Sequence, residues 1–241
     1  MCGRFLLTAP VEALRRLFGV EAVFNLGPRY NIAPTQETPV LRLDAAGGRV
    51  LAMLRWGLAP SWAKDASIGA KLINARADTV ATKPSFRAAF RQRRCLVPAD
   101  GFYEWAVGPD KAKQPYLIAR ADSATFAFAG LWELRQVEKE NLYTFTIVTT
   151  DANTVLAPIH HRMPVILDPK DYDAWLDPKN RDAAALLKPA PDAAMRATPI
   201  STRVNAVRND DPSVIEPVAV ATAPGKPAPA KSVPPAQGSL F

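Results

Sequence analysis

From Leu54 to Thr150 the chain advances in short steps rich in β-branched and aromatic residues: LRWGL, KLINARADTV, CLVPADGFYEW, QPYLIAR, TFAFAGLWEL and LYTFTIVTT. Gly, Pro, Asp and Asn separate the steps, so the pattern predicts strands of a mainly antiparallel sheet. Helices are expected in three places. One starts near Pro10, with Val11, Leu14, Leu17 and Phe18 on one face and Arg15 and Arg16 on the other. The others fall at KPSFRAAFRQ, where Phe86 and Phe90 are one turn apart, and at PKDYDAWL. The expected class is α+β: a curved or barrel-like, mainly antiparallel core with flanking helices.

A chain of 241 residues that is 48% hydrophobic can bury one sizeable core, at the usual roughly 100–200 residues per domain. Residues 1–220 are read as that domain. From 221 the composition changes to ATAPGKPAPAKSVPPAQ, Pro and Ala without apolar periodicity, which predicts an extended, disordered tail over 221–241. That tail ends in GSLF, with two apolar residues at its terminus.

No apolar run approaches the roughly 20 residues that span a membrane, and Thr8, Pro10 and Glu12 break FLLTAPVEALRRLF as a signal-peptide core. A cytosolic protein with reduced Cys2 and Cys95 is therefore expected, Cys95 as a small buried hydrophobe. Two distant cysteines and adjacent histidines make no metal site, and there is no glycine-rich phosphate loop, so no cofactor is expected. The formal net charge of +7 favours a polyanion as partner, although solvated surface Lys and Arg give the same sum. Nothing calls for an obligate dimer, and the chain is read as a monomer.

Cysteine at the second position normally permits removal of the initiator methionine, which would leave an α-amine and a thiol on Cys2. Three pairs then share one spacing: Cys2 and Arg4, Asn74 and Arg76, His160 and Arg162. In extended backbone, residues i and i+2 point to the same side, so each pair would set a reactive or hydrogen-bonding group beside a guanidinium, the fork that binds phosphate. The plainer readings are a turn cap for Asn74, a satisfied loop histidine for His160 and solvated arginines. In DGFYEW a strand would put Glu104 on the side of Phe102, with Tyr103 and Trp105 opposite. A carboxylate among aromatics either pairs with an Arg or has a raised pKa suited to proton transfer.

MCGRF, YNIAPTQ, RWGLAPSWAKD, INARADT, PSFRAAF, RRCLVPADGFYEW, IHHRMPVIL and STRVNAVRNDDPSVIEP occur in collinear order over residues 2–217. In this the chain resembles the SOS response-associated peptidase (SRAP) family, the abasic-site processing proteins. The resemblance implies that Cys2, freed of Met1, bonds covalently to abasic sites in single-stranded DNA and closes a thiazolidine. It implies further catalytic roles for Asn74, Glu104 and His160, and phosphate contacts for Arg4, Arg76 and Arg162. By the same resemblance Trp62 and Trp105 line the DNA groove or fill core, Asn31 and Pro34 border the site, and His161 falls at a variable position. The family name reflects proteolytic chemistry of the same constellation, directed at its own N-terminus. QGSLF resembles the short motif that docks on the bacterial sliding clamp, with Gln237 at a pocket rim, Leu240 and Phe241 on its floor, and Gly238 replacing the usual leucine.

Two readings from other classes stay open. In one, Cys2 is the thiol nucleophile of an N-terminal-nucleophile hydrolase acting in trans, its amine serving as base. In the other, the chain binds single strands noncovalently and Cys2 is dispensable.

Overall fold

The computed structural model describes residues 2–21, 26–108, 111–137 and 140–219. The stretch 221–241, with Gln237, Leu240 and Phe241, lies outside the described residues. Along the chain run β1 (Phe5–Leu7), α1 (Val11–Phe18), β2 (Arg29–Ile32), β3 (Glu37–Leu43), β4 (Arg49–Trp56), β5 (Asn74–Arg76), α2 (Arg87–Gln92) and β6 (Arg94–Ala99). They are followed by β7 (Gly101–Val107), β8 (Lys113–Arg120), β9 (Phe126–Val137), β10 (Glu140–Asp151), β11 (Arg162–Pro164), β12 (Ile166–Leu167), α3 (Tyr172–Leu176) and β13 (Met195–Pro199).

Strands β4, β3, β6, β9 and β10 pair in that order, and β10 pairs back to β4, closing a five-stranded barrel. Every pairing in the ring is antiparallel except β10 with β4. A second, antiparallel sheet has the order β13, β8, β7, β1, β2. Phe5 and Phe102 fasten it to the barrel: the Phe5 ring is 5.1 Å from Trp56 and 5.8 Å from Phe128, and Phe102 is 5.9 Å from Phe128. All three contacts are edge-on, the preferred geometry for aromatic pairs. The two-residue alternation of a strand turns Leu6 and Tyr103 to the opposite face. There they pack with Ile200, Val204 and Val214, so the segment after β13 covers the sheet. The expected α+β class with a mainly antiparallel, barrel-like core is what the chain adopts.

Strand β10 positions the site. Over Glu140–Ile147 it pairs with β9, and at Thr144 and Phe145 with β4. From Ile147 its parallel neighbour is β5, and from Thr149 its antiparallel neighbour is β11. Strands β9 and β10 part beyond the Gly130–Ile147 pair, and residues 162–167 enter the gap, β11 against β10 and β12 against β9. Val165 sits in the middle, donating its N–H to Val148 O and accepting from Ala129 N–H, each at 2.9 Å. Gly130 permits the crossing, since a Cβ there would lie 2.8 Å from Cys95 Sγ.

KLINARADTV is not a continuous strand as expected. Only Asn74–Arg76 pair, because β4 occupies the flank of β10 before Ile147, and a 3-10 turn over Ala66–Lys71 precedes them. Helix α1 buries Leu14 and Phe18 and ends on Gly19 at φ 61°, a left-handed cap. Cys95 is fully buried. Among the described residues no helix is long and apolar enough to cross a membrane.

Candidate active site

Strand β1 lies antiparallel to β7 with Phe5 opposite Phe102, and Tyr103 N–H donates to Arg4 O at 3.0 Å. Continuing that register brings Cys2 and Gly3 alongside Glu104 and Trp105. Cys2 has no exposed surface. Its carbonyl accepts from Asn74 Nδ2 at 2.7 Å, so β5 reaches across to hold the start of the chain. Burial pushes the Cys2 thiol far above its ordinary range, and the Glu104 charge pushes it the same way. The side chain is therefore a protonated thiol at neutral pH.

Glu104 is on the face of Phe102 while Tyr103 and Trp105 belong to the opposite cluster, the alternation expected from DGFYEW. It is buried, and burial raises its pKa. The folded carboxyl thus keeps its proton to higher pH than the unfolded one, whose pKa is about 4.3. Stability from this group is present below that value and is lost as pH rises through the raised one. Glu104→Gln does not titrate, so we expect its melting temperature to gain on wild type between pH 4 and pH 8; a pH-independent difference in paired melts would count against a buried, raised carboxyl.

His160 and His161 stack with ring centroids 4.4 Å apart. His160 Nδ1 is 3.0 Å from the Arg162 backbone nitrogen. Nδ1 also lies 3.1 Å from Arg162 O, so the ring is fastened to the Arg162 backbone through Nδ1. Burial lowers the pKa of His160, favouring the neutral form. Glu104, Trp105, Lys113, His160 and Asn205 line a cleft of about 380 Å³. Trp105 Nε1 donates to Asn205 Oδ1 at 2.8 Å, fixing one wall. A larger hollow of about 750 Å³, against Arg42, Trp132, Tyr143 and Lys179, contains none of these groups, so size does not mark the site. Among the described residues no three His, Cys, Asp or Glu side chains are grouped to hold a metal.

The arginine and groove residues take different places. Arg4 donates to Asn31 Oδ1 at 2.8 Å, Val204 O at 2.9 Å and Asn205 O at 3.4 Å. Asn31 is 0% exposed, and its Nδ2 donates to Val204 O, Ala206 O and Asn209 O. Asn31 therefore ties the strand behind the site to the covering segment. Arg162 is 4% exposed; it donates to Thr149 O at 2.5 Å and Thr149 Oγ1 at 3.1 Å, and pairs with Asp151 at 3.2 Å. Arg76 is exposed and forms a two-point pair with Asp78, whose pKa that contact lowers to about 2. Trp62 is 61% exposed beside a separate hollow with Lys64 and Lys71. Pro34 is half-buried in the turn after β2.

Lys113 and Asn205 line the cleft and neither is evident from spacing. Asn205 stands in the quoted STRVNAVRNDDPSVIEP; Lys113, near the tip of the β7–β8 hairpin, belongs to no motif.

A closed barrel with an added antiparallel sheet, a buried second-position cysteine held by Asn74 and a cleft lined by Glu104 and His160 define the class of this α+β protein. The chain belongs to the SOS response associated peptidase (SRAP) family, whose sequence profile matches residues 1–207. It is 44% identical over 223 residues to abasic site processing protein YoqW of Bacillus subtilis (strain 168), covering 90% of this chain and 99% of that protein. It is 38% identical over 226 residues to abasic site processing protein HMCES of Gallus gallus, covering 79% and 66% respectively. A crystal structure of a protein from Bacteroides thetaiotaomicron matches with a TM-score of 0.82 at 28% identity, covering 90% of this chain and 100% of that one. The crystal structure of a phage-related protein from Bordetella bronchiseptica matches with a TM-score of 0.69 at 32% identity, covering 83% and 95%.

Proposed function

We propose that this protein processes abasic sites in single-stranded DNA by bonding to the opened sugar through Cys2 once Met1 is removed. The observation that carries the reading is the Asn74 Nδ2 to Cys2 O hydrogen bond, which holds the cysteine backbone near Glu104, a residue that lines the cleft. The names of the relatives, abasic site processing proteins, support the substrate.

An abasic deoxyribose opens to an aldehyde. The Cys2 α-amine adds to it and water leaves, giving an imine; the thiol then adds across C=N, sulfur to carbon and proton to nitrogen, closing a thiazolidine. Glu104, with its raised pKa, can deliver the proton that the departing hydroxyl needs. His160 lines the same cleft as Glu104 and can hydrogen-bond the opened sugar. Asn74 Oδ1 is buried with no hydrogen-bond partner among the described residues, and a freed amine would satisfy it. The ring removes the aldehyde required for β-elimination, so the adduct shields the strand from cleavage.

The state of the thiol separates this reading from a thiol-first hydrolase. A buried, protonated thiol is a poor first nucleophile; the amine attacks first and the thiol closes the ring. Proteolytic chemistry of the same groups would act on the chain's own N-terminus. A denaturing gel with a single-stranded oligonucleotide carrying one abasic site tests the function: a slow band that survives boiling is expected, and its absence rejects covalent processing.

Phosphate grip falls to Arg76, whose pair with Asp78 leaves the other guanidinium edge for a phosphate. Arg162 instead holds the His160 turn against β10. Arg76→Ala should weaken binding to undamaged single strands and reduce the salt slope by about 0.7 with little change in melting. Arg162→Ala strips donors from the buried Thr149 oxygens and should cost about 2 kcal/mol of stability. Equal melting temperatures for the two variants would contradict this division.

The extent of the domain, residues 1–220, and docking of Gln237, Leu240 and Phe241 on a bacterial sliding clamp complete the proposal. Two apolar side chains at about 1.5–3 kcal/mol each can hold such a tether weakly. A labelled peptide of residues 226–241 should bind clamp in fluorescence polarisation, and Leu240→Ala with Phe241→Ala should not; equal signals would reject the tether.

A further inference from the structure

We infer that Lys113 binds the DNA backbone phosphate next to the abasic sugar, an inference that rests on the proposed function. Arg4 and Arg162 are already engaged by protein acceptors, and Arg76 keeps one guanidinium edge beside its pair with Asp78. Arg4 is spent on Asn31 and on the carbonyls of Val204 and Asn205, and Arg162 on Thr149 and Asp151. Arg76 shares its charge with Asp78. Lys113 also lines the cleft, and among the described residues it takes part in no ion pair.

Its place on the sheet explains the reach. Pro115 stands opposite Trp105, and Lys113 opposite Val107, so Lys113 is the diagonal neighbour of Trp105 on the face that carries Asn205. Diagonal cross-strand neighbours are about 7–8 Å apart, within the span of a lysine side chain. Glu104, Trp105, Lys113, His160 and Asn205 line this one cleft. A sugar set against Glu104 for its aldehyde to meet Cys2 brings its flanking phosphate into the cleft that Lys113 also lines. Lys113 is exposed, and its ammonium is a point charge on a flexible stem that can follow a flexible strand.

The test compares wild type with Lys113→Ala, Lys113→Glu and Lys113→Arg, using an undamaged and an abasic oligonucleotide of one sequence. Expected for Lys113→Ala are about fivefold weaker binding of undamaged strand at low salt and a salt slope smaller by about 0.7. Lys113→Glu should lose more than Lys113→Ala, and Lys113→Arg should restore wild-type affinity. In crosslinking, the half-saturating DNA concentration should rise more than the saturated rate falls. An unchanged salt slope in Lys113→Ala, alongside a normal wild-type adduct, would overturn the role of Lys113 and leave the function standing. No adduct from wild type would reject the function itself. Borohydride reduction of Cys2→Ala with abasic DNA supplies a further arm: a reduced adduct mapped to Lys113 would overturn a purely electrostatic role.

Discussion

Cys2→Ala is expected to abolish the boiled-gel adduct with abasic single-stranded DNA, and inserting one alanine between Met1 and Cys2 is expected to abolish it as completely. The first change removes the sulfur that closes the ring and leaves at most an imine, which water reverses. The second keeps the sulfur but converts the Cys2 amine into an amide nitrogen, which cannot form an imine. Asn74 holds the Cys2 carbonyl at 2.7 Å, so an insertion also displaces whichever residue takes the new amine from the pocket beside Glu104. Loss of folding is a separate matter: truncating the buried thiol should cost about 1 kcal/mol, well short of unfolding the domain. A normal adduct from the insertion variant would show that some other group captures the sugar.

Gly57→Ala is expected to lower the melting temperature by about 10 °C, from a cost of roughly 3–4 kcal/mol. Gly57 has φ 124°, a conformation that side-chain-bearing residues rarely adopt, and its Cβ would lie 2.5 Å from Gly69 O. The contact is reciprocal, since a Cβ on Gly69 would lie 2.4 Å from Gly57 O. The two backbones touch so that the 3-10 turn Ala66–Lys71 can deliver the chain to Asn74. Leu58 N–H to Leu72 O at 3.2 Å and Trp56 Nε1 to Ile73 O at 2.9 Å complete that junction. Forcing it apart moves Asn74 off Cys2, so variant protein held below its melting point should also crosslink more slowly. A melting temperature equal to wild type would contradict the close approach.

How far the site can be read from sequence depends on how local each relation is. Glu104 was legible because strand alternation alone sets its side, and DGFYEW shows that alternation. The short steps punctuated by Gly, Pro, Asp and Asn likewise indicate antiparallel strands, because hairpin pairing is decided by neighbours. A barrel-like core was legible, but not the pair that closes it, the parallel pairing of Thr144 and Phe145 with Arg55 and Trp56, far apart in the chain. The matched spacing of His160 and Arg162 implies a shared exposed face, yet β11 enters the gap between β9 and β10 and buries the Arg162 guanidinium. Asn31 turns inward for a similar reason. Its partners, Val204, Ala206 and Asn209, come from the far end of the chain, and no spacing rule connects them. Lys113 acquires meaning only once β8 is registered on β7.

The central claim, an N-terminal thiazolidine on Cys2, is tested most directly by intact mass and peptide mapping of the adduct before and after borohydride. The account predicts the mass of the chain without Met1 plus the abasic oligonucleotide less one water, with the linkage on Cys2 and no gain of hydrogen on reduction, because no imine remains. A mass lacking the loss of water, a linkage at another residue, or two hydrogens gained on reduction would contradict it.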